Sequence, residues 1–342
     1  MRVTIKEVAK EAGVSTSTVS RVLSKDSRIS YETSKKVKEA IEKLNYIPNI
    51  VARGLANNKT RILAVVLPNR AEESFSNPFF MQVMKGISIY AQKENYYIMY
   101  AFNDDLENDN VWIKDFIRSN IVDGLFLFNA KDNDITIDYL KSEEVPFVVI
   151  GRPEKNEDVL WVDNDNFEAM YQLAQYLISL GHTSIGFIGA RKELNMSKDR
   201  LSGYKQALYS RNININKHNI IEMDDFIEEN GYKAGLQIIK KYNVSAIITT
   251  DDLLAFGVQK ALLENSMDKI ALVGFNNIPL SKYKVPSISS VDINSEKLGY
   301  YATKLLIDNL EKESDRKFYV IDTQLIERDS LIYNKIQKWK ND

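Results

Sequence analysis

From residue 62 onward the chain alternates between short, branched apolar runs and longer stretches with a helical repeat. No other feature restricts its folding as much. Apolar runs at 62–67, 96–101, 124–128 and 147–150 are separated by helix-period segments at 79–94, 109–118 and 135–142. A second block starts near Asp165 with a helix to Leu180. It continues with runs at 185–188, 220–223, 246–249 and 270–274 and helices at 200–210, 231–242 and 253–264. Near-continuous apolar strands between helices mean parallel sheets covered on both faces. Two similar blocks within residues 61–342 therefore predict two doubly wound lobes, an α/β class of fold. Ligands of such sheets bind outside the carboxyl ends of the strands, here in the cleft between the lobes.

The first 61 residues are chemically different. They hold 13 Lys and Arg against 6 Asp and Glu, a net +7, whereas the remainder carries −9. A small basic head on a large acidic body suggests a polyanion for the head alone, although a solvated basic helix surface has the same charge. The chain of 342 residues has no cysteine, which removes disulfides, thiolate nucleophiles and cysteine-type zinc sites. Its apolar runs are far shorter than a membrane span, and its N-terminus lacks the apolar core of a secretory signal. A cytoplasmic protein with no membrane partner is expected.

Within the head, Thr4 and Glu7 have the spacing of a capping box, and Ile5, Val8 and Ala9 make one helix face. Gly13 suits a helix stop. Ser15 then caps a second helix whose apolar face is Val19, Val22 and Leu23. Two helices joined by a short glycine-containing turn form the helix-turn-helix pattern. Ser30 caps a third helix with a stripe of Val37, Ala40, Ile41 and Leu44. A generic three-helix bundle shares this periodicity. Against it stands the polar outer face of the second helix: Thr16, Ser17, Ser20 and Arg21. Short hydroxyls and one guanidinium near a helix start suit base edges in a major groove. Pro48 ends the third helix. Asn49 then caps a short helix to about Asn57 that is too short to stand alone.

The runs TIKEVAKEAGVSTSTVSRVL and NYIPNIVARGLANNKT resemble the head and hinge of the lactose/galactose repressor family at nearly every position from 4 to 60. The resemblance implies a three-helix DNA-binding head at 1–48 and a hinge helix with linker at 49–60. It places Thr4, Ser15, Thr16, Ser17, Ser20 and Arg21 toward DNA, and Asn49 and Ala52 in the hinge helix. Leu55 matches a leucine that two subunits wedge into the minor groove, its alternative being a contact on the head. Gly54 stands where serine or alanine is commoner.

The body carries further marks of the same family: Val122-Asp123-Gly124, Gly181-His182, the run DRLSGY at 199–204, GFNN at 274–277 and LIER at 325–328. It resembles the family's inducer-binding core, which is itself similar to periplasmic sugar-binding proteins. That implies three crossings between lobes, near 160–162, 291–293 and 320–323. Lobe one then spans about 61–160 and 293–320, and lobe two about 162–291 and 323–340.

A sugar needs planar polar groups for its hydroxyls and aromatic rings for its faces. Phe79 and Phe80 open a helix, Asn129 and Arg152 follow strands, Asn164 and Asp165 precede a helix, and Asp251 and Asn276 follow strands. All sit at carboxyl ends facing one cleft. By the resemblance, Arg200 at a helix start grips a ligand oxygen and Phe226 stacks on the ligand. Plainer roles stand beside these: Asp165 and Asp252 as N-caps, Phe79 and Phe80 as core, His182 at a helix end. Asn276 replaces the family's usual aspartate, which disfavours a cationic ligand. The segments RAEESFSNPFF, VDNDN and DRLSGY are most similar to Gram-positive maltose-operon repressors, which implies maltose or a maltooligosaccharide. Another glucoside or a nucleobase is the alternative within the family.

An enzyme is the rival class. Two histidines, no cysteine and no nucleophile-elbow, phosphate-loop, dinucleotide or zinc-protease motif argue against it. Asp163 and Asp251 read as hydroxyl-binding groups rather than a glycosidase pair. A carbohydrate-binding or carbohydrate-processing protein without regulatory role would not need the basic head. No cofactor is expected. The partners expected are a palindromic operator duplex bound by a homodimer and a small sugar, since the end of the chain lacks a long leucine heptad. No feature of the sequence demands a phosphocarrier corepressor.

Overall fold

The computed structural model describes residues 3–24, 26–47, 59–67, 75–102, 111–128, 130–155, 158–241, 243–312 and 314–331. These form two compact units: residues 1–61 with 121–123, and the rest of the chain.

The first unit holds α1 (Ile5–Ala12), α2 (Thr16–Leu23) and α3 (Tyr31–Lys43). The capping box is present: Thr4 donates its backbone N–H and its hydroxyl to the Glu7 carboxylate, at 2.7 and 2.9 Å. Gly13 ends α1 at φ 65°, a left-handed conformation that costs glycine little. Ser15 and Ser30 cap α2 and α3 by accepting the backbone N–H of Thr18 and Thr33. Val8, Ala9, Val19, Val22, Val37 and Ala40 are the buried core. Ile41 and Leu44 are only half-buried against it, so the α3 stripe is narrower than its periodicity implies. At the far end of the unit the Asp123 carboxylate accepts the backbone N–H groups of Thr60 and Arg61 at 2.6 and 2.9 Å. The hinge positions Asn49, Ala52, Gly54 and Leu55 lie outside the described residues.

The second unit contains two six-stranded sheets. One is built from β1 (Ile62–Leu67), β2 (Tyr97–Phe102), β3 (Gly124–Phe128), β4 (Phe147–Ile150), β5 (Leu160–Asp163) and β11 (Phe318–Val320), in the order β11-β5-β4-β3-β1-β2, all parallel. The other is built from β6 (Ile185–Ala190), β7 (Ile220–Met223), β8 (Ala246–Thr249), β9 (Ala271–Phe275), β10 (Ser289–Asp292) and β12 (Gln324–Ile326). Its order is β12-β10-β9-β8-β6-β7, and only β12 runs antiparallel. Every residue of β3 and β8 is buried, as a sheet covered on both faces requires.

The covering helices are α4 (Pro78–Lys93), α5 (Val111–Arg118), α6 (Ile135–Ser142), α7 (Asn166–Ser179), α8 (Asn195–Ser210), α9 (Glu228–Lys241), α10 (Asp252–Glu264) and α11 (Ser295–Glu311). α4 and α11 meet backbone to backbone. A Cβ on Gly86 would lie 1.9 Å from Glu296 O, and one on Gly299 2.0 Å from Val83 O, so only glycine fits either crossing point. Among the described residues no helix is long and apolar enough to cross a membrane.

The chain passes between the sheets at 164–165, 293–294 and 321–323. Residues 160–162, expected near a crossing, are the body of β5, because they are apolar enough to be buried as a strand. α8 begins at Asn195, so Arg200 lies in its second turn rather than at its start. Asp251, not Asp252, caps α10 by accepting the Leu253 N–H at 2.6 Å. Asp252 is buried in the first turn of that helix and accepts from Ile278 N–H and the hydroxyls of Ser281 and Ser290. Two adjacent aspartates offer the same capping chemistry, and the partners of the second one come from distant loops.

Candidate functional site

On the outer face of the first unit, Thr16, Ser17, Ser20 and Arg21 are exposed together on α2. The hydroxyls of Thr4 and Ser15 are engaged in their own helix starts, with Ser15 Oγ also 2.7 Å from Ser17 Oγ. The nearby Asp26 carboxylate is bridged by the Arg28 guanidinium through Nε at 3.0 Å and Nη2 at 2.7 Å, which holds its pKa well below the usual range. That carboxylate is therefore neutralised locally.

In the second unit a cavity of about 210 Å³ lies at the carboxyl ends of both sheets. From the first sheet come Asn77, Phe79 and Phe80 at the start of α4, Arg152 after β4, and Asp163 and Asn164 at the end of β5. From the second come Arg191 after β6, Met196 and Arg200 on α8, the stretch 225–227, Asp251 after β8 and Asn276 after β9. Eight of the residues expected to meet an effector are thus brought together: Phe79, Phe80, Arg152, Asn164, Arg200, Phe226, Asp251 and Asn276. Asn129 lies outside the described residues. Asp165 is not in this wall. Its side chain is turned to the N-terminus of α7, where it accepts the Glu168 N–H at 2.9 Å.

Arg200 is the most enclosed polar group of the site, 2% exposed. Its Nε donates to Asn166 Oδ1 at 2.9 Å and its Nη1 to the Thr250 carbonyl at 2.6 Å, with the guanidinium 3.9 Å over the Phe275 ring. Burial pulls its pKa down to about 10, against the opposing pull of Asp163 and Asp251. Burial pushes Asp163 up to about 6, although its carboxylate accepts the N–H groups of Arg152 and Asn164 and the Asn166 amide. Asp251 is pushed up to about 8 by burial first and by the charge of Asp252 second. Its other oxygen accepts the Asn276 amide at 2.7 Å. Asn276 holds φ 97°, an uncommon backbone region for a side-chain-bearing residue.

Arg152 and Arg191 are paired with carboxylates. Arg152 meets Asp199 at 2.7 Å, and Arg191 meets Asp225 at 2.5 Å. The first pair spans the cleft, joining a residue after β4 to one on α8. Lys198 and Asp132 form another spanning ion pair, and Asn195 donates to the carbonyls of Ala130 and Arg152 at 3.0 and 3.1 Å. Arg191, Met196 and Asp225 escaped sequence reasoning. One signal was there: Arg191 directly follows a strand, as Arg152 follows one after Gly151. Phe79 and Phe80 meet edge to face at 5.2 Å, and both line the cavity beside its polar groups, Phe80 also packing into the core against Phe128. The site has the means to hold a neutral, hydroxyl-rich molecule. Among the described residues no cluster of three or more His, Cys, Asp or Glu is placed to hold a metal ion.

Comparison with known proteins agrees with this organisation. Residues 4–49 match "Bacterial regulatory proteins, lacI family", and residues 174–331 match a periplasmic binding protein-like domain. The helix-turn-helix-type transcriptional regulator MalR of Streptococcus pneumoniae is 36% identical over 318 residues, 93% of this chain and 95% of that protein. Among solved structures, a probable maltose operon transcriptional repressor from Staphylococcus aureus is 26% identical with a TM-score of 0.72, covering 80% of this chain and 98% of its own. The complex of the transcriptional regulator CelR with cellobiose is 26% identical with a TM-score of 0.75, covering 96% and 100%.

Proposed function

Because the chain belongs to the lacI family of bacterial regulatory proteins and is a DNA-binding transcriptional repressor rather than an enzyme, we propose that its cavity takes maltose or a maltooligosaccharide and that this sugar controls operator binding. The genes under control are those of carbohydrate uptake and use, and the protein acts in the cytoplasm as a homodimer on a palindromic site. In this reading Thr16, Ser17, Ser20 and Arg21 meet base edges, and Asn49, Ala52 and Leu55 belong to the hinge that meets the minor groove.

The observation that carries the sugar class is charge compensation. Among the described residues of the cavity wall, Arg152 and Arg191 are ion-paired to carboxylates and Arg200 feels the charge of Asp163, so the space favours a neutral ligand with many hydroxyls over an anion. Phe79, Phe80 and Phe226 supply flat apolar faces of the kind a pyranose ring stacks on. Sugar contacts drawn from both lobes favour one lobe arrangement over another, which is the route to control.

A thermal-shift series with maltose, maltotriose, cellobiose, trehalose, ribose and hypoxanthine tests the assignment, followed by titration against an operator selected from random duplexes. A ligand that binds the folded chain raises its melting temperature by mass action. Maltose or maltotriose is expected to do so and to shift operator affinity. A shift by cellobiose, trehalose, ribose or hypoxanthine without maltose or maltotriose, or by none of them, overturns the maltose assignment.

A further inference from the structure

The three connections between the lobes are not independent strands. Asn164 sits on the first, buried in the cavity wall, and its amide nitrogen donates to Ile293 O on the second at 3.0 Å and to Ile321 O on the third at 2.8 Å. An amide nitrogen has two hydrogens, and both are used on carbonyls that would otherwise be unpaired inside the hinge. Neighbouring bonds extend the tie: Ile321 N–H donates to Asp163 O at 2.8 Å, and Asn294 Nδ2 to Asp322 O at 2.9 Å. Asn294 holds φ 53°, so the second connection bends sharply where it meets the third. Asp163 and Ile293, the neighbours of this clasp, also line the cavity.

We propose that Asn164 is a positioning residue that converts occupancy of the cavity into movement of all three connections at once. This rests on the reading that the cavity binds an effector. A ligand touching the wall at Asn164 moves one amide. That amide carries two carbonyls on separate segments with it, so the hinge responds as a unit instead of strand by strand. The effector expectation for Asn164 is thereby sharpened: its donors belong to the hinge, and only its acceptor oxygen is left for a ligand.

Hydrogen exchange on the ligand-free full chain tests the clasp directly. In Asn164→Ala, peptides covering 289–296 and 319–325 are expected to exchange together at least about 10-fold faster than in the parent, with β1 and β8 peptides unchanged. Asn164→Ser, which keeps a hydroxyl in the gap, guards against loss of folding in the alanine variant and is expected to show the same paired effect. With maltotriose as probe, Asn164→Ala should keep its affinity within about 10-fold, while the effect of sugar on DNA affinity shrinks below about twofold. Arg200→Ala should instead weaken binding of the sugar itself by more than about 10-fold. Unchanged exchange at either connection overturns the proposal, as does a loss of binding and response in step with Arg200→Ala. If no sugar binds the parent, the effector reading fails, and the exchange result still decides the clasp.

Discussion

Arg21 in the head and Arg200 in the body carry the same guanidinium in opposite settings. Arg21 lies exposed on α2, in a segment whose net charge is +7, and the nearest loop carboxylate, Asp26, is already bridged by Arg28. Arg200 is fully enclosed, hydrogen-bonded at two nitrogens and flanked by Asp163 and Asp251. The difference teaches what each surface is for. A cation meant for a polyanion stays solvated, because its partner arrives with charge and releases counterions. A cation meant to orient a neutral molecule must be compensated before the ligand comes, since a bare buried charge is unstable.

The contrast is most exposed to salt. Between 50 and 200 mM salt, affinity for the selected operator should fall by on the order of 10²- to 10³-fold, while sugar affinity changes by less than about twofold. Fluorescence anisotropy and calorimetry over one salt series would show it, and parallel losses would mean that the cavity carries uncompensated charge. Next in size, Arg200→Ala should weaken sugar binding by about 1.5–3 kcal/mol, the worth of charge-assisted hydrogen bonds. It should also lower the melting temperature, because the Asp163 carboxylate loses its cation. Operator affinity without sugar should stay within about twofold. Arg21→Ala is the mirror experiment: about 1–3 kcal/mol lost on the operator, an altered consensus in selection from random DNA, and an unchanged sugar isotherm. An identical consensus would remove Arg21 from the base-reading set.

The smallest effect concerns protons. Asp251, pushed up to about 8 in the fold, keeps a proton at neutral pH that the unfolded chain releases above about 4. The unfolded state then binds fewer protons, so this residue makes stability decline as pH rises from about 4 to about 8. Asp251→Asn, which copies the neutral acid, should stay within about 1 kcal/mol of the parent near pH 6 and lose that part of the decline. Urea unfolding at pH 5, 6.5 and 8 compares the slopes, and equal slopes would assign the pH dependence to other groups.

Much of the fold was legible because its signals are local. The capping box at Thr4 and Glu7, the stop at Gly13 and the caps at Ser15 and Ser30 involve residues two or three apart, and all are present. The strands 62–67, 124–128, 147–150, 220–223 and 246–249 were marked by their own apolar runs. The elements after residue 274 were not, since β11 and β12 are three residues each and half exposed, and α11 lies in a stretch whose apolar residues follow a polar start.

Residue types and strand ends therefore came from the sequence alone: which polar groups stand at the cleft, and that the head is basic and helical. Partnership came only from tertiary structure. It buried Asp252 among Ile278, Ser281 and Ser290. It matched Arg191 to Asp225 across 34 residues and tied Asn164 to Ile321 across 157. A cap or an apolar run is decided by atoms a turn away along the chain, whatever the rest does. A buried charge or amide must find its counterpart wherever folding brings one, and in a doubly wound fold that counterpart comes from another strand end, at a distance in sequence that no local pattern records.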